Sequence, residues 1–323
     1  GPNARAAAVN RMLGGKPPTA MQFNTGKQFD ELVEAGLIQD LEEIATADNW
    51  RKVLPPAFVE AVTRNGKIYA VPVNIHGQNW LWYNTEVLKK AGVEPPKTFD
   101  DLLTVLEKVK ATGVIPLAFG GAKNWERLMF NTVLVGTGGR ELFVEVFGKR
   151  NDALVKGPAF RKAAETYIAL RKYTDPGHPG RTWNDATNMV ITGKAGMQFM
   201  GDWAKGEFIA ANLTPGKEYG CTVVGQGYMM GGDVFAFAKL KDPGEIAAQK
   251  LLAKTLFDPE TQIKFNAKKG SIPVRLDVDG SSLDICAQQG MKLVADPARQ
   301  VADINLIASP PLVGALDDVI SEF

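Results

Sequence analysis

Helix-like and strand-like segments alternate along almost the whole chain, and this alternation is its strongest constraint, because it calls for an α/β fold. The clearest helix begins after Thr98. Phe99, Leu102, Leu103, Leu106 and Val109 recur at three- and four-residue spacing and so share one face. Thr98 followed three residues later by Asp101 is an N-terminal capping signature, and Pro95-Pro96 prevents an earlier start. Residues 114–119 then read as a strand. Phe160, Ala163, Ala164, Tyr167 and Leu170 mark a second amphipathic helix. Further helices are expected at 3–13, at 29–35 with Gly36 as the closing glycine, and at 246–257. Asp258-Pro259-Glu260 caps that last helix and starts another. Further strands are expected at 19–23, 68–73, 80–83, 195–200 and 234–238. There is no internal repeat and no low-complexity tract.

A length of 323 residues suits two lobes or one large domain. Lys and Arg total 37 against 36 Asp and Glu, a formal net charge of +1. Such a chain has no global field for holding nucleic acid or an anionic membrane surface. No stretch approaches the roughly 18 apolar residues of a membrane span. Two histidines and two cysteines fall short of the about four ligands of a closed zinc site, so no metal is expected. Cys221 and Cys286 are too far apart for C-x-x-C chemistry; two buried thiols or one disulfide both fit.

Signatures of catalysis and of cofactors are missing. Gly14-Gly15-Lys16 precedes proline and lacks the spacing of a phosphate loop. Gly225-Gln226-Gly227 is a turn rather than a dinucleotide fingerprint. There is no G-x-S-x-G elbow and no H-E-x-x-H helix. With only His76 and His178, a Ser-His-Asp triad has little material, and His178 reads as a solvated loop residue. Asp202 and Asp233 both sit beside expected strand ends. Each could be an acid, a nucleophile, a hydroxyl acceptor, or simply a cap or loop carboxylate.

Aromatic and amide-rich segments at strand ends are more informative. Asn74-Ile75-His76-Gly77-Gln78-Asn79-Trp80 gathers groups that hydrogen-bond neutral hydroxyls. Asn124-Trp125-Glu126 follows a Gly-Gly turn, and Asp202-Trp203-Ala204-Lys205 follows a strand. A sugar offers hydroxyls around its ring and C–H groups on its faces, so it wants amides, carboxylates, Lys and His around an indole platform. Trp50, Trp80 and Trp82 read as core; Trp125 and Trp203, flanked by polar residues, read as platform.

Ala70-Val71-Pro72-Val73-Asn74-Ile75-His76 with Asn79-Trp80-Leu81-Trp82-Tyr83-Asn84 resembles the extracellular solute-binding proteins of sugar ABC importers. Leu88, Gly92, Pro95-Pro96 and Thr98-Phe99 continue that likeness. Gly193-Lys194-Ala195-Gly196-Met197, closing in Gly201-Asp202-Trp203, and Gly270-Ser271-Ile272-Pro273-Val274-Arg275 are further marks. The likeness runs from about Ala6 to the C-terminal end and is closest to the glucose-type branch. It implies a type II, maltose-binding-protein-like fold. Each of two lobes is a mixed sheet flanked by helices, and ligand is held in the interlobe cleft. The first lobe would be 1–75 with 233–275, the second 76–232 with 276–323.

Carried over by motif, the resemblance assigns Gln22 and Asn24 to a first-lobe strand end, and Asn74 and His76 to the first crossing. Asn124 and Trp125 fall on a second-lobe loop. Trp203 becomes a ring-stacking platform with Asp202 and Lys205 beside it. Asp233 becomes an acidic residue at the return crossing, Arg275 a residue near the cleft, and Cys221 with Cys286 a disulfide. Two departures stand out. The family's first strand, a Trp-Trp-Glu loop and a helix have no counterpart ahead of residue 1, so the first lobe is expected to lack them. The histidine expected near residues 305–311 is absent.

The implied function is binding without catalysis and without a cofactor, in the periplasm of an exporting cell. The partners would be a mono- or small oligosaccharide, glucose-type first, and the permease subunits that provide the only membrane contact. The chain would act as a monomer. The opening residues show no basic-then-apolar leader, as in any trimmed chain. The rivals are a polyol or amino-sugar binder, and a glycoside hydrolase using Asp202 and Asp233.

Overall fold

The structure, a computed structural model, describes residues 2–322; Gly1 and Phe323, the outer ends of the expected lobes, lie outside the described residues. The chain divides into two compact units, Gly1–His76 with Gly231–Ser282 and Gly77–Met230 with Leu283–Phe323. It therefore passes from one unit to the other after His76, after Met230 and after Ser282.

The first unit is built on a three-stranded sheet in the order Ala20–Asn24, Asp233–Phe237, Ala70–Pro72. Both pairings are antiparallel, so this sheet is not mixed among the described residues. Its register sets Asn24 opposite Asp233 and Gln22 opposite Phe235. Side chains alternate across a strand. Met21 and Phe23 therefore turn inward and are buried, while Gln22 and Asn24 stay exposed on the other face. Trp50 belongs to this core, as expected, with its ring stacked on Phe257 at 4.3 Å. The strand expected at 68–73 is interrupted. Lys67–Ile68 pairs with Thr63–Arg64, Tyr69 donates to the Val62 carbonyl, and Ala70–Pro72 joins the main sheet.

The second unit holds a four-stranded sheet in the order Ile115–Leu117, Ala195–Met200, Trp80–Asn84, Tyr219–Val223. One pair is parallel and two are antiparallel, so this sheet is mixed. All six residues of Ala195–Met200 are buried, as befits a strand covered on both faces. Trp80 and Trp82 are core residues; Trp82 donates its indole N–H to the Met200 carbonyl at 2.9 Å. The Phe99–Ala111 helix starts at Thr98 with a full capping box. It buries Val105 rather than Leu103, because its inward face runs through 102, 105, 106 and 109. The Lys123–Phe143 helix packs against Pro158–Arg171 and Pro310–Ser321. Arg127–Asp317 and Lys123–Asp318 ion pairs at 2.6 Å tie it to the latter. Cys221 and Cys286 are joined as a disulfide that links the Tyr219–Val223 strand to the Ile285–Ala295 helix.

Candidate functional site

Each unit carries one cluster of the residues singled out above. In the first unit, the sheet register brings Asn24 and Asp233 side by side, and the strand-end segment after Pro72 turns Asn74 and His76 toward them. The Asp233 carboxylate is the centre. Its Oδ1 accepts from Gln22 Nε2 at 2.6 Å. Its Oδ2 accepts from Asn74 Nδ2 and from the His76 Nε2–H, both at 3.1 Å. Asn74 closes the loop by accepting the Asp233 backbone N–H at 2.7 Å. Burial raises the Asp233 carboxyl, but the His76 hydrogen bond and charge, then Lys269 and Asn74, outweigh it and hold it below the ordinary aspartate range. A carboxylate has about four acceptor positions, so these donors leave capacity for a further hydroxyl.

Sequence reasoning missed Lys269, whose Nζ lies 3.8 Å from Asp233 Oδ2. It ends the Pro259–Lys269 helix, immediately before the Gly270-Ser271-Ile272-Pro273 turn that was picked out for other reasons. Reciprocal backbone bonds between Ile75 and Ile272 bring that turn to Asn74 and His76. Buried Asn266 adds a bond to the Val73 carbonyl at 3.1 Å. Arg275, expected near the cleft, makes its bonds locally. Its guanidinium makes two bonds to Asp277, at 2.9 and 2.7 Å, and one to the Phe257 carbonyl, and it lies over the Phe257 ring. A carboxylate two residues away and an aromatic face satisfy it locally.

The second unit's cluster is aromatic. Trp125, Trp183 and Trp203 are all half-buried. Trp125 stands between the others, with ring centroids 6.0 Å from Trp203 and 6.5 Å from Trp183, in tilted and edge-on contact. Each occupies a helix start: Lys123–Phe143, Trp183–Ile191 and the 3₁₀ turn Asp202–Ala204. Asn124 and Trp125, expected on a loop, are therefore in the first turn of a helix, with Asn124 exposed. Trp183 was missed; its cue was a Trp directly after the N-capping Thr182. Gly201 lets the Trp203 indole lie against the strand-end backbone, since a Cβ there would meet the ring at 2.2 Å.

Asp202 is buried and accepts the Gly77 backbone N–H through Oδ2 at 2.9 Å. Lys205 is also buried, and its Nζ meets Asp284 Oδ2 at 2.6 Å. His178, expected in solvent, is half-buried; its Nδ1 lies 2.9 Å from the Asp175 carbonyl and its ring 5.5 Å from Phe119. Among the described residues, no group of three or more His, Cys, Asp or Glu side chains could hold a metal ion, and no helix is long and apolar enough to cross a membrane.

The description "Bacterial extracellular solute-binding protein" fits residues 3–285. The chain belongs to this family. A probable sugar-binding periplasmic protein of Mesorhizobium japonicum is 39% identical over 336 residues, covering 100% of this chain and 79% of that relative. Among solved structures, the bacterial solute receptor AcbH, described as having an exclusive preference for β-D-galactopyranose, superposes with a TM-score of 0.85 at 19% identity, over 99% of this chain and 83% of its own. Maltose-bound MalE3 of T. maritima superposes at 0.76 and 20% identity, over 98% of this chain and 88% of its own. At those identities the likeness shows the fold, which is the two-lobed, maltose-binding-protein-like fold of solute-binding proteins. The relatives in this family are binding proteins rather than enzymes.

Proposed function

We propose that this chain is the sugar-capturing component of an ABC import system, taking a neutral mono- or small oligosaccharide, glucose-type first, in the periplasm and handing it to membrane permease subunits. The observation that carries the reading is the half-buried indole group around Trp125 in the second unit. Sugar rings present C–H faces to such surfaces, and few other polar solutes do. The Asp233 group of the first unit supplies the complementary chemistry, an ionised acceptor for hydroxyls held by amide and imidazole donors. On this reading Trp203, Trp125 and Trp183 meet sugar ring faces, and Asp233, Asn74, His76, Gln22 and Asn24 meet sugar hydroxyls. The probable sugar-binding function of the Mesorhizobium japonicum relative supports the ligand class.

A hydrolase would need a carboxylic acid still protonated near neutral pH. Asp233 is shifted the other way, so it is not that acid; held ionised, it is suited to accept sugar hydroxyls. The test is intrinsic tryptophan fluorescence during titration with glucose, galactose, mannose, glucosamine, maltose, sucrose and polyols. Saturable change with one or two of the sugars is expected. Trp203→Ala is expected to cost about 2 kcal/mol, roughly thirtyfold in affinity. Binding of none of them, or wild-type affinity in that variant, would overturn the reading.

A further inference from the structure

Lys205 is almost wholly buried, an unusual place for an ammonium group. Among the described contacts its Nζ has one partner, Asp284 Oδ2 at 2.6 Å. Asp284 has a second task. Its Oδ1 accepts the backbone N–H groups of Cys286 and Ala287, at 2.9 and 3.0 Å, and so caps the Ile285–Ala295 helix. Cys286 is bonded to Cys221 in the Tyr219–Val223 strand. Through one carboxylate, Lys205 thus reaches a helix start that is covalently tied to the sheet.

In the other direction Lys205 reaches Trp203. The 3₁₀ turn Asp202–Ala204 runs directly into the Lys205–Ala210 helix, and the Lys205 backbone N–H bonds back to the carbonyls of Asp202 and Trp203. A helix of six residues is marginal by itself. Its place is set by what it packs on. Phe208, one turn along on the same face, stacks on Tyr219 at 4.2 Å and lies 5.9 Å from Trp82. The Lys205–Asp284 pair is the polar anchor beside that aromatic one. A buried ammonium persists only with its counter-charge, so the pair fixes geometry more than it adds stability.

We propose that Lys205 is a positioning residue: through Asp284 it holds the turn that presents Trp203, and it does not itself touch the ligand. This rests on the sugar-capture reading, and the test separates the two. Lys205→Met, Asp284→Asn and the double variant are titrated with whichever sugar of the panel binds the wild type. Their near-ultraviolet circular dichroism is recorded without sugar, with Trp203→Phe identifying the Trp203 band. Each single variant is expected to bind about tenfold more weakly, and the double no more weakly than either single, because both remove one coupled interaction. Each is also expected to alter the Trp203 band.

If Lys205→Met weakens binding while Asp284→Asn leaves affinity and band unchanged, Lys205 contacts the ligand and the proposal is wrong. It is equally wrong if both singles lose thermal stability while the folded protein keeps wild-type affinity and band. Should a single variant fail to fold, the double variant, which buries no lone charge, decides: wild-type affinity and band there overturn positioning. If the wild type binds nothing in the panel, the sugar reading fails, and the ligand-free band alone decides whether Lys205 positions Trp203.

Discussion

Asp303 shows how much one buried side chain can govern. Its carboxylate accepts from Gln78 at 2.6 Å and from the Asn305 backbone and side-chain N–H groups at 2.6 and 3.0 Å. Burial nevertheless pushes its pKa up to about 6, against the pull of Asn305, Arg127 and Gln78. The unfolded value is about 3.9. Because the folded value is the higher one, Asp303 contributes stability that is fully present below about pH 4 and lost as pH rises through about 6. The loss is on the order of 3 kcal/mol. Asp303→Asn keeps a good cap, so its denaturant-unfolding free energy should lack this decline between about pH 4 and pH 7. An identical pH profile in both proteins would contradict the assignment. Residue roles were legible where a side chain acts with its sequence neighbours, as for Thr98 with Asp101. They were illegible where partners converge from afar. Lys269 meets Asp233 beside the Ile75–Ile272 pairing, and Arg275 pairs with Asp277 two residues on.

At the scale of elements, the disulfide between the Tyr219–Val223 strand and the Ile285–Ala295 helix closes a loop with a sequence separation of 65. Loop-closure entropy assigns a link of that length about 4 kcal/mol of stability. Cys221→Ser with Cys286→Ser should lower the unfolding free energy by that order, measured by denaturant titration; a change under about 1 kcal/mol would mean that the reduced chain keeps the two ends together. Helices with strong periodicity and caps were legible, including Pro243–Phe257 and its successor started by Asp258. Strands were less so, because several are only two or three residues long, too short for alternation to show: Ile115–Leu117 lies inside the expected 114–119. Trp183 was passed over because a helix start looks like any other until Trp125 is seen beside it.

For the whole molecule, the two-lobed fold was legible through motif order, while the position of each cluster within its unit was not. The indoles lie in the unit containing Gly77–Met230, and the Asp233 group in the unit containing Gly231–Ser282. On the proposed function, the Asp233 group makes hydroxyl contacts that the indoles cannot replace. Neither cluster should then suffice alone. The most direct measurement is calorimetric titration of the sugar selected by the panel into Asp233→Ala. The account predicts at least roughly thirtyfold weaker binding, about 2 kcal/mol, with the indole cluster left intact. Wild-type affinity in that variant would contradict it, because the sugar would then be held without the first unit's carboxylate.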